Sequence, residues 1–141
     1  PILSADTIVL IKNRILEKPI DYDEAFNMLS MLSGDTHQVI TAVNILYLEG
    51  SLNFTFIEET SVTFNKLDSN DISYYIRRYS PYDKAGSYGI QGFSSIFVKK
   101  INGCYFNVVG LPLSSLFYHL KKFNLIEFPL NTLNKNDNLS S

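Results

Sequence analysis

Apolar runs near the start of the chain predict a β-rich opening. Residues 1–11 are mostly apolar, with Asp6 and Thr7 as the polar interruption. Lys12-Asn13-Arg14 has the composition of a turn, and Ile15-Leu16 resumes the apolar run. Short apolar runs bounded by turn residues are typical of buried strands. The sequence therefore predicts strand, turn and short strand before residue 17.

Two longer patterns predict a central hairpin. Residues 38–49 are largely apolar on both faces, which indicates a central strand. Residues 52–64 alternate between apolar and polar side chains, as a half-buried strand does. Gly50-Ser51 lies between them and predicts the turn of an antiparallel pair.

Helical spacing predicts three helices. Asp21 and Glu24 have capping-box spacing, and Gly34 predicts a left-handed end to the first helix. Asp68 and Asp71 open the second helix, and Pro112 opens the third. The predicted apolar faces are Ala25, Met28, Leu29 and Leu32; Ile72, Tyr75, Ile76 and Tyr79; and Leu113, Leu116, Phe117 and Leu120.

A second hairpin is predicted near residue 102. Residues 95–101 favour a strand, Asn102-Gly103 is a strong hairpin turn signal, and residues 104–109 favour the returning strand. Hairpins interleaved with capped helices indicate an α/β (α+β) domain, with a mixed β-sheet and flanking helices.

Composition narrows the class of protein. The 141 residues are 45% hydrophobic, enough for one globular core. The net charge of −2 implies no basic surface for nucleic acid. Cys104 is the only cysteine, so an intrachain disulfide is excluded and a reducing, cytoplasmic setting is expected. No apolar run approaches 20 residues, and no membrane partner is expected.

The stretch 83–92 carries the strongest chemical signal. It holds three glycines, together with Asp83, Lys84 and Gln91. Glycines allow a backbone to approach a ligand closely. A lysine can meet a phosphate, and the amide of a glutamine can both donate to and accept from a base edge. The stretch alone weakly predicts a nucleotide or polyanion pocket.

Other polar residues leave alternatives open. Asp6 is either a structural residue at a strand end or a carboxylate that holds a divalent cation or activates water. Lys18 lies either in an exposed turn or on a phosphate. His37 is interpreted as a hydrogen-bonded turn residue and His119 as a surface residue. The sequence has no nucleophile elbow, P-loop or dinucleotide fingerprint.

Five segments in order resemble the Maf (septum-formation) family of nucleoside triphosphate pyrophosphatases, over about residues 1–125. The match is closest to the branch that acts on dTTP and UTP. The segments are Ala5-Asp6-Thr7-Ile8-Val9, Glu17-Lys18-Pro19, Leu32-Ser33-Gly34-x-Thr36-His37-x-Val39, Asp83-Lys84-Ala85-Gly86-x-Tyr88-Gly89-Ile90-Gln91-Gly92 and Val108-Val109-Gly110-Leu111-Pro112.

The resemblance implies a Maf/ITPase-like fold and metal-dependent hydrolysis of a nucleoside triphosphate to the monophosphate and pyrophosphate. It implies that Asp6 is the proton acceptor and a ligand of Mg²⁺ or Mn²⁺. Thr7 and Gln91 match positions tied to base specificity, and Lys18 and Lys84 are assigned to phosphate contact. The resemblance assigns Asp83 to orienting Lys84 or helping with the metal. A homodimer is left open.

The chain departs from the family pattern in two ways. Ser4 stands where the family usually has glycine, and the Ser-x-Ser-Pro-Arg-Arg and Glu-Lys-Ala segments expected upstream of Asp6 are absent from this sequence. We therefore expect the C-terminal part of a longer protein, lacking the N-terminal strand and helices of the family fold, with an exposed sheet edge and a half-built site. A domain is expected over residues 1–125 and a polar, flexible tail over 126–141.

These departures keep rival functions open. The chain is either an enzyme, an inactive remnant, or a nucleotide-binding regulator of septum formation. A structural interaction module is a further alternative, and it rests only on the expected exposed edge.

Overall fold

The computed structural model of the chain describes residues 1–127, and a five-stranded β-sheet forms its centre. Every strand pairing within these residues is antiparallel. In spatial order the strands are β2 (Arg14–Leu16), β1 (Ile2–Ile11), β3 (Thr36–Tyr47), β4 (Leu52–Phe64) and β5 (Val98–Asn102).

Four helices flank this sheet in the described part of the chain, which confirms the α/β (α+β) class. They are α1 (Tyr22–Leu32), α2 (Ser69–Tyr79), α3 (Tyr105–Val109) and α4 (Leu113–Lys122), with 3₁₀ turns at Ala85–Ser87 and Phe93–Phe97. None of the helices within residues 1–127 has the length and apolar character needed to cross a membrane. Most of the predicted tail at 126–141 lies outside the described residues.

The predicted helix caps form for the expected reason. The side chain of Asp21 accepts a hydrogen bond from the backbone N–H of Glu24 at 2.8 Å, and that of Asp68 accepts from Asn70 at 2.6 Å. Each bond satisfies a donor that the first helical turn would otherwise leave unpaired. The predicted core face of α1 is fully buried, whereas Tyr79 in α2 is exposed.

Strand β1 runs through Asp6 and Thr7 without a break, and β2 follows after a turn, which confirms the strand, turn and short strand predicted before residue 17. Asp6 pairs with Ala42 and Thr7 with Thr41 in the ladder to β3. Strand β2 pairs only with residues 9–11 of β1. Within residues 1–127, residues 2–8 of β1 therefore have no strand on the side away from β3, and the expected exposed sheet edge is present.

The predicted second hairpin is wrong: its first strand begins only at Val98, after the 3₁₀ turn, and its returning strand does not form. Gly103 has φ +131, and the next residue, Cys104, bonds to Thr60 through both its N–H and its carbonyl. The chain then enters helix α3 instead of returning as a strand. The stretch at residues 104–109 is too short to distinguish the strand period of 2 from the helical period of 3.6. In the helical form Asn107 donates hydrogen bonds to the carbonyls of Val39 and Glu58 in the sheet.

One face of the sheet carries the core in two clusters. The larger cluster lies under α1 and α2 and includes Val39 of β3, whereas the smaller cluster lies under α4 and includes Val43. Polar side chains separate the two clusters, and we call this group the polar seam. Its members are Thr7, Thr41, Thr60 and Asn107.

Candidate functional site

A cavity of about 360 Å³ opens between β1, the segment after β2, the loop at residues 83–92 and the end of α3. All six site residues predicted from the sequence line it, although they come from three separate segments. They are Asp6, Thr7, Lys18, Asp83, Lys84 and Gln91. The structure thus brings the predicted set together, and the role of each residue remains a prediction.

Asp6 and Thr7 reach this cavity from opposite faces of one strand. Successive side chains in a strand alternate, and Thr7 shares the helix-covered face with Thr41, whose side-chain oxygen lies 2.9 Å away. Asp6 points to the other face and is exposed. Both line the cavity, since this part of β1 has no described strand on its outer side.

The loop at residues 83–92, which we call the glycine loop, lies directly against β1 because Gly86 has no side chain. A Cβ at this position would lie 3.0 Å from Cγ2 of Val9, and the φ of +71° favours glycine. The backbone N–H of Gly86 donates to the carbonyl of Glu17 at 3.1 Å. These contacts hold Lys84 near the segment that carries Lys18.

Charged side chains form part of the lining of the cavity. Nζ of Lys84 lies 3.0 Å from a carboxylate oxygen of Asp83. The hydrogen bond from Lys84 holds the pKa of Asp83 below its usual value, with smaller contributions from the positive charges of Lys84 and Lys18. Both lysines line the same cavity and are available to an anionic group bound there.

The remaining wall is apolar and was missed by sequence reasoning. It is formed by side chains of the core and of the α3 end, where the sequence predicted a strand. These residues are Val39, Tyr88, Ile90, Val108 and Val109. A cavity lined by both charged and apolar groups suits a ligand with an anionic and an apolar part.

Two histidine interpretations change in the structure. His37 is hydrogen-bonded as expected, but it is a buried residue of β3 and not a turn residue: its Nε2 lies 2.6 Å from the hydroxyl oxygen of Tyr88. His119 was predicted at the surface, yet its ring is half-buried and lies 4.4 Å from that of Phe56. The partners, Tyr88 for His37 and Phe56 for His119, are distant in sequence, so local residue spacing could not predict these contacts.

Burial makes His37 a neutral group at physiological pH. Desolvation lowers its pKa to about 4, and the charge of Asp35 opposes this only weakly. Desolvation likewise raises the pKa of the Tyr88 hydroxyl. The hydrogen bond between them therefore joins two uncharged groups.

A family model described as Maf-like protein matches residues 1–123. The chain belongs to the Maf family. This match includes every residue that lines the cavity.

Curated relatives of the Maf family are similar over most of this chain. One from Bacillus cereus (strain ATCC 14579) is 51% identical over 124 residues, which cover 88% of this chain and 64% of the relative. One from Carboxydothermus hydrogenoformans is 46% identical over 122 residues, covering 86% and 66%. Both relatives are named dTTP/UTP pyrophosphatase. The chain thus spans less than two thirds of the length of the relatives that it matches.

The donors in this Maf-family cavity suit a metal that a substrate helps to hold. Among residues 1–127, no group of three His, Cys, Asp or Glu side chains is arranged around one metal position. Mg²⁺ commonly takes one or two carboxylates together with substrate phosphates and water. The single exposed carboxylate of Asp6 fits that mode, whereas Asp83 is already paired with Lys84.

Proposed function

We propose that the chain contributes to the hydrolysis of dTTP and UTP to the monophosphate and pyrophosphate, in a nucleotide-pool role. The cavity carries this proposal, because it gathers all six predicted residues around one space. The names of the relatives support the substrate class, since both are dTTP/UTP pyrophosphatases.

Lys18 and Lys84 would bind the triphosphate. Both side chains line the cavity and carry the positive charge that a triphosphate needs. Lys84 is paired with Asp83, and a phosphate would compete for this lysine. Thr7 and Gln91 would contact the base, with Val108 and Val109 as an apolar surface of the same cavity.

Asp6 would accept the proton of the attacking water. The water oxygen bonds to the α-phosphorus, the bond from that phosphorus to the bridging oxygen breaks, and pyrophosphate leaves with the electron pair. Asp6 would also hold a divalent cation, Mg²⁺ or Mn²⁺, which supplies charge neutralisation to the phosphates when bound. The cytoplasm, where nucleoside triphosphates are made and used, would be the site of action.

Pyrophosphate release from dTTP and UTP with Mg²⁺ or Mn²⁺ tests the proposal. Asp6→Asn should lower turnover about 10²-fold or more, because a lost general base typically costs that much. Asp23→Asn is the matched control: Asp23 is exposed in the first turn of α1, does not line the cavity, and should leave turnover unchanged. Equal turnover in Asp6→Asn and the wild type would refute the assigned role.

The binding-only alternative has a different signature. If dTTP raises the melting temperature but no pyrophosphate is released, the chain binds nucleotide without hydrolysing it. The expected result is both a higher melting temperature and release. Sedimentation in the same buffer shows whether a homodimer forms.

A further inference from the structure

The side chain of Tyr88 ties the middle of the glycine loop to the sheet through its hydroxyl group. It follows the 3₁₀ turn Ala85–Ser87 and precedes Gly89, and only 6% of its surface is exposed. The loop before it is fixed by the backbone bond from Gly86 to Glu17, and the loop after it by bonds between Gly89 and Ser94. Tyr88 lies between these two anchors and lines the cavity itself.

The partner of Tyr88 is rigidly held. His37 belongs to the central strand β3 and is 1% exposed. Its ring contacts those of Phe64 and Tyr88 edge-to-face, with centroids 5.1 and 5.4 Å apart. Phe64 and Tyr88 also meet edge-to-face at 4.7 Å, so each of the three rings fixes the other two.

The bond between Tyr88 and His37 has no substitute nearby. Within residues 1–127, Nδ1 of His37 is buried without a hydrogen-bond partner, so Nε2 makes the only polar contact of that ring. Loss of the tyrosine hydroxyl would leave both ring nitrogens unpaired in the core. The glycine loop would then keep the bonds at Gly86 and Gly89 but lose the bond at Tyr88 between them.

We propose that His37 is a positioning residue for the nucleotide: through the hydroxyl of Tyr88 it sets the position of the loop that presents Lys84 and Gln91 to the cavity. Lys84 lies four residues before Tyr88 and Gln91 three residues after it. The side chain of Lys84 lies beside Gly89, where an added Cβ would be 3.2 Å from Cε of the lysine. A shift of Tyr88 and Gly89 therefore displaces the predicted phosphate contact and the predicted base contact together. The nucleotide part of this inference rests on the proposed function.

Tyr88→Phe removes the hydroxyl and keeps the ring. We expect faster amide hydrogen exchange at Gly89, Ile90 and Gln91, and about five- to tenfold weaker binding of a dTTP analogue with an imido α–β bridge. Tyr22→Phe is the matched control, because the hydroxyl of Tyr22 bonds to Ser73 at 2.9 Å and joins α1 to α2 away from the cavity. Tyr22→Phe should change neither amide exchange at residues 89–91 nor the affinity for the analogue.

The double variant His37→Leu/Tyr88→Phe separates position from stability. Replacing both partners by apolar groups can restore much of the lost stability. A purely structural role then predicts recovery of affinity and of slow loop exchange, and that result would overturn the proposal. We expect the melting temperature to recover while loop exchange stays fast and affinity stays low.

The two proposals fail separately. If the wild type does not bind the analogue, the proposed function is wrong, and loop exchange in the absence of nucleotide still decides the role of His37. Unchanged exchange at residues 89–91 in Tyr88→Phe would overturn the positioning role even if the wild type hydrolyses dTTP.

Discussion

The side-chain oxygens of Thr7 and Thr41 lie 2.9 Å apart across β1 and β3, on the face that the helices cover. Thr41 is fully buried, and its other contact, to the backbone carbonyl of Asn107, is long at 3.5 Å. Thr7 lines the cavity and is the only side chain that pairs closely with Thr41 within residues 1–127. Thr7, the predicted base-contact residue, is thus held in position by Thr41, its partner in the polar seam.

Thr7→Val should therefore destabilise the fold by about 1 kcal/mol, because it removes the close partner of a buried hydroxyl. Urea denaturation measures the change. Thr36→Val is the matched control, since Thr36 and Thr63 form a similar pair at 2.7 Å in an exposed position. An equal loss in the two variants would show that burial of Thr41 does not matter.

Gly86→Ala should destabilise the fold more than Gly34→Ala. Both glycines have positive φ, at 71° and 68°, so either alanine is strained by about 1 kcal/mol. Only at Gly86 would the new Cβ also press on Val9, 3.0 Å away, whereas the nearest atoms at Gly34 lie at an ordinary 3.8 Å. Thermal melts of the two variants measure the difference, and identical melting temperatures would contradict the close approach of loop and strand.

The stability of the fold should fall as the pH drops from about 6.5 to about 4. In this window the unfolded chain protonates His37, whose ordinary pKa is 6.5, while burial keeps the folded form neutral until its pKa of about 4. The loss should reach up to about 3 kcal/mol. Any contribution of Asp35 disappears at lower pH, since its pKa is lowered from 3.8 by the hydrogen bond from the backbone of Thr36.

Urea midpoints at pH 4.5, 5.5 and 7.5 test this dependence. His37→Leu removes the titrating group and should flatten the profile across the same window. Parallel profiles for the wild type and this variant would mean that another group causes the loss.

Asn107→Ala should cost about 2–4 kcal/mol, because a fully buried amide donates to the carbonyls of Val39 and Glu58 and to Thr60. Asn44→Ala is a suitable comparison. Asn44 also makes side-chain hydrogen bonds across β3 and β4, but in a largely exposed setting, and its loss should cost less than about 1 kcal/mol. Similar denaturation midpoints in the two variants would rule out a special role for Asn107.

Long periodic segments could be predicted from the sequence. Short segments, and residues that form hydrogen bonds with distant parts of the chain, could not. Strands β3 and β4 have 12 and 13 residues, so their alternation is well defined. Helix α3 has five, too few to distinguish a period of 2 from one of 3.6. Of the six predicted site residues, five carry a charge or an amide that marks them locally, whereas Thr7 was assigned only through the resemblance of its segment to the Maf family. Thr41 and Asn107 were not predicted, since their partners lie 34 and 68 positions away in sequence.

The polar seam divides the protein into parts of unequal local stability. On the α4 side, within residues 1–127, only Val43, Ile45, Phe56 and Leu116 form the buried cluster, whereas the α1 and α2 side has a much larger one. Free energies of local opening follow the buried apolar contacts of each part. Under mild protease, cleavage should begin around α4 while the strands that carry Asp6 and His37 remain intact. The cavity wall formed by Val108 and Val109 comes just before α4 in the chain, but Val108 packs against the larger cluster, so this wall should stay in place when α4 opens.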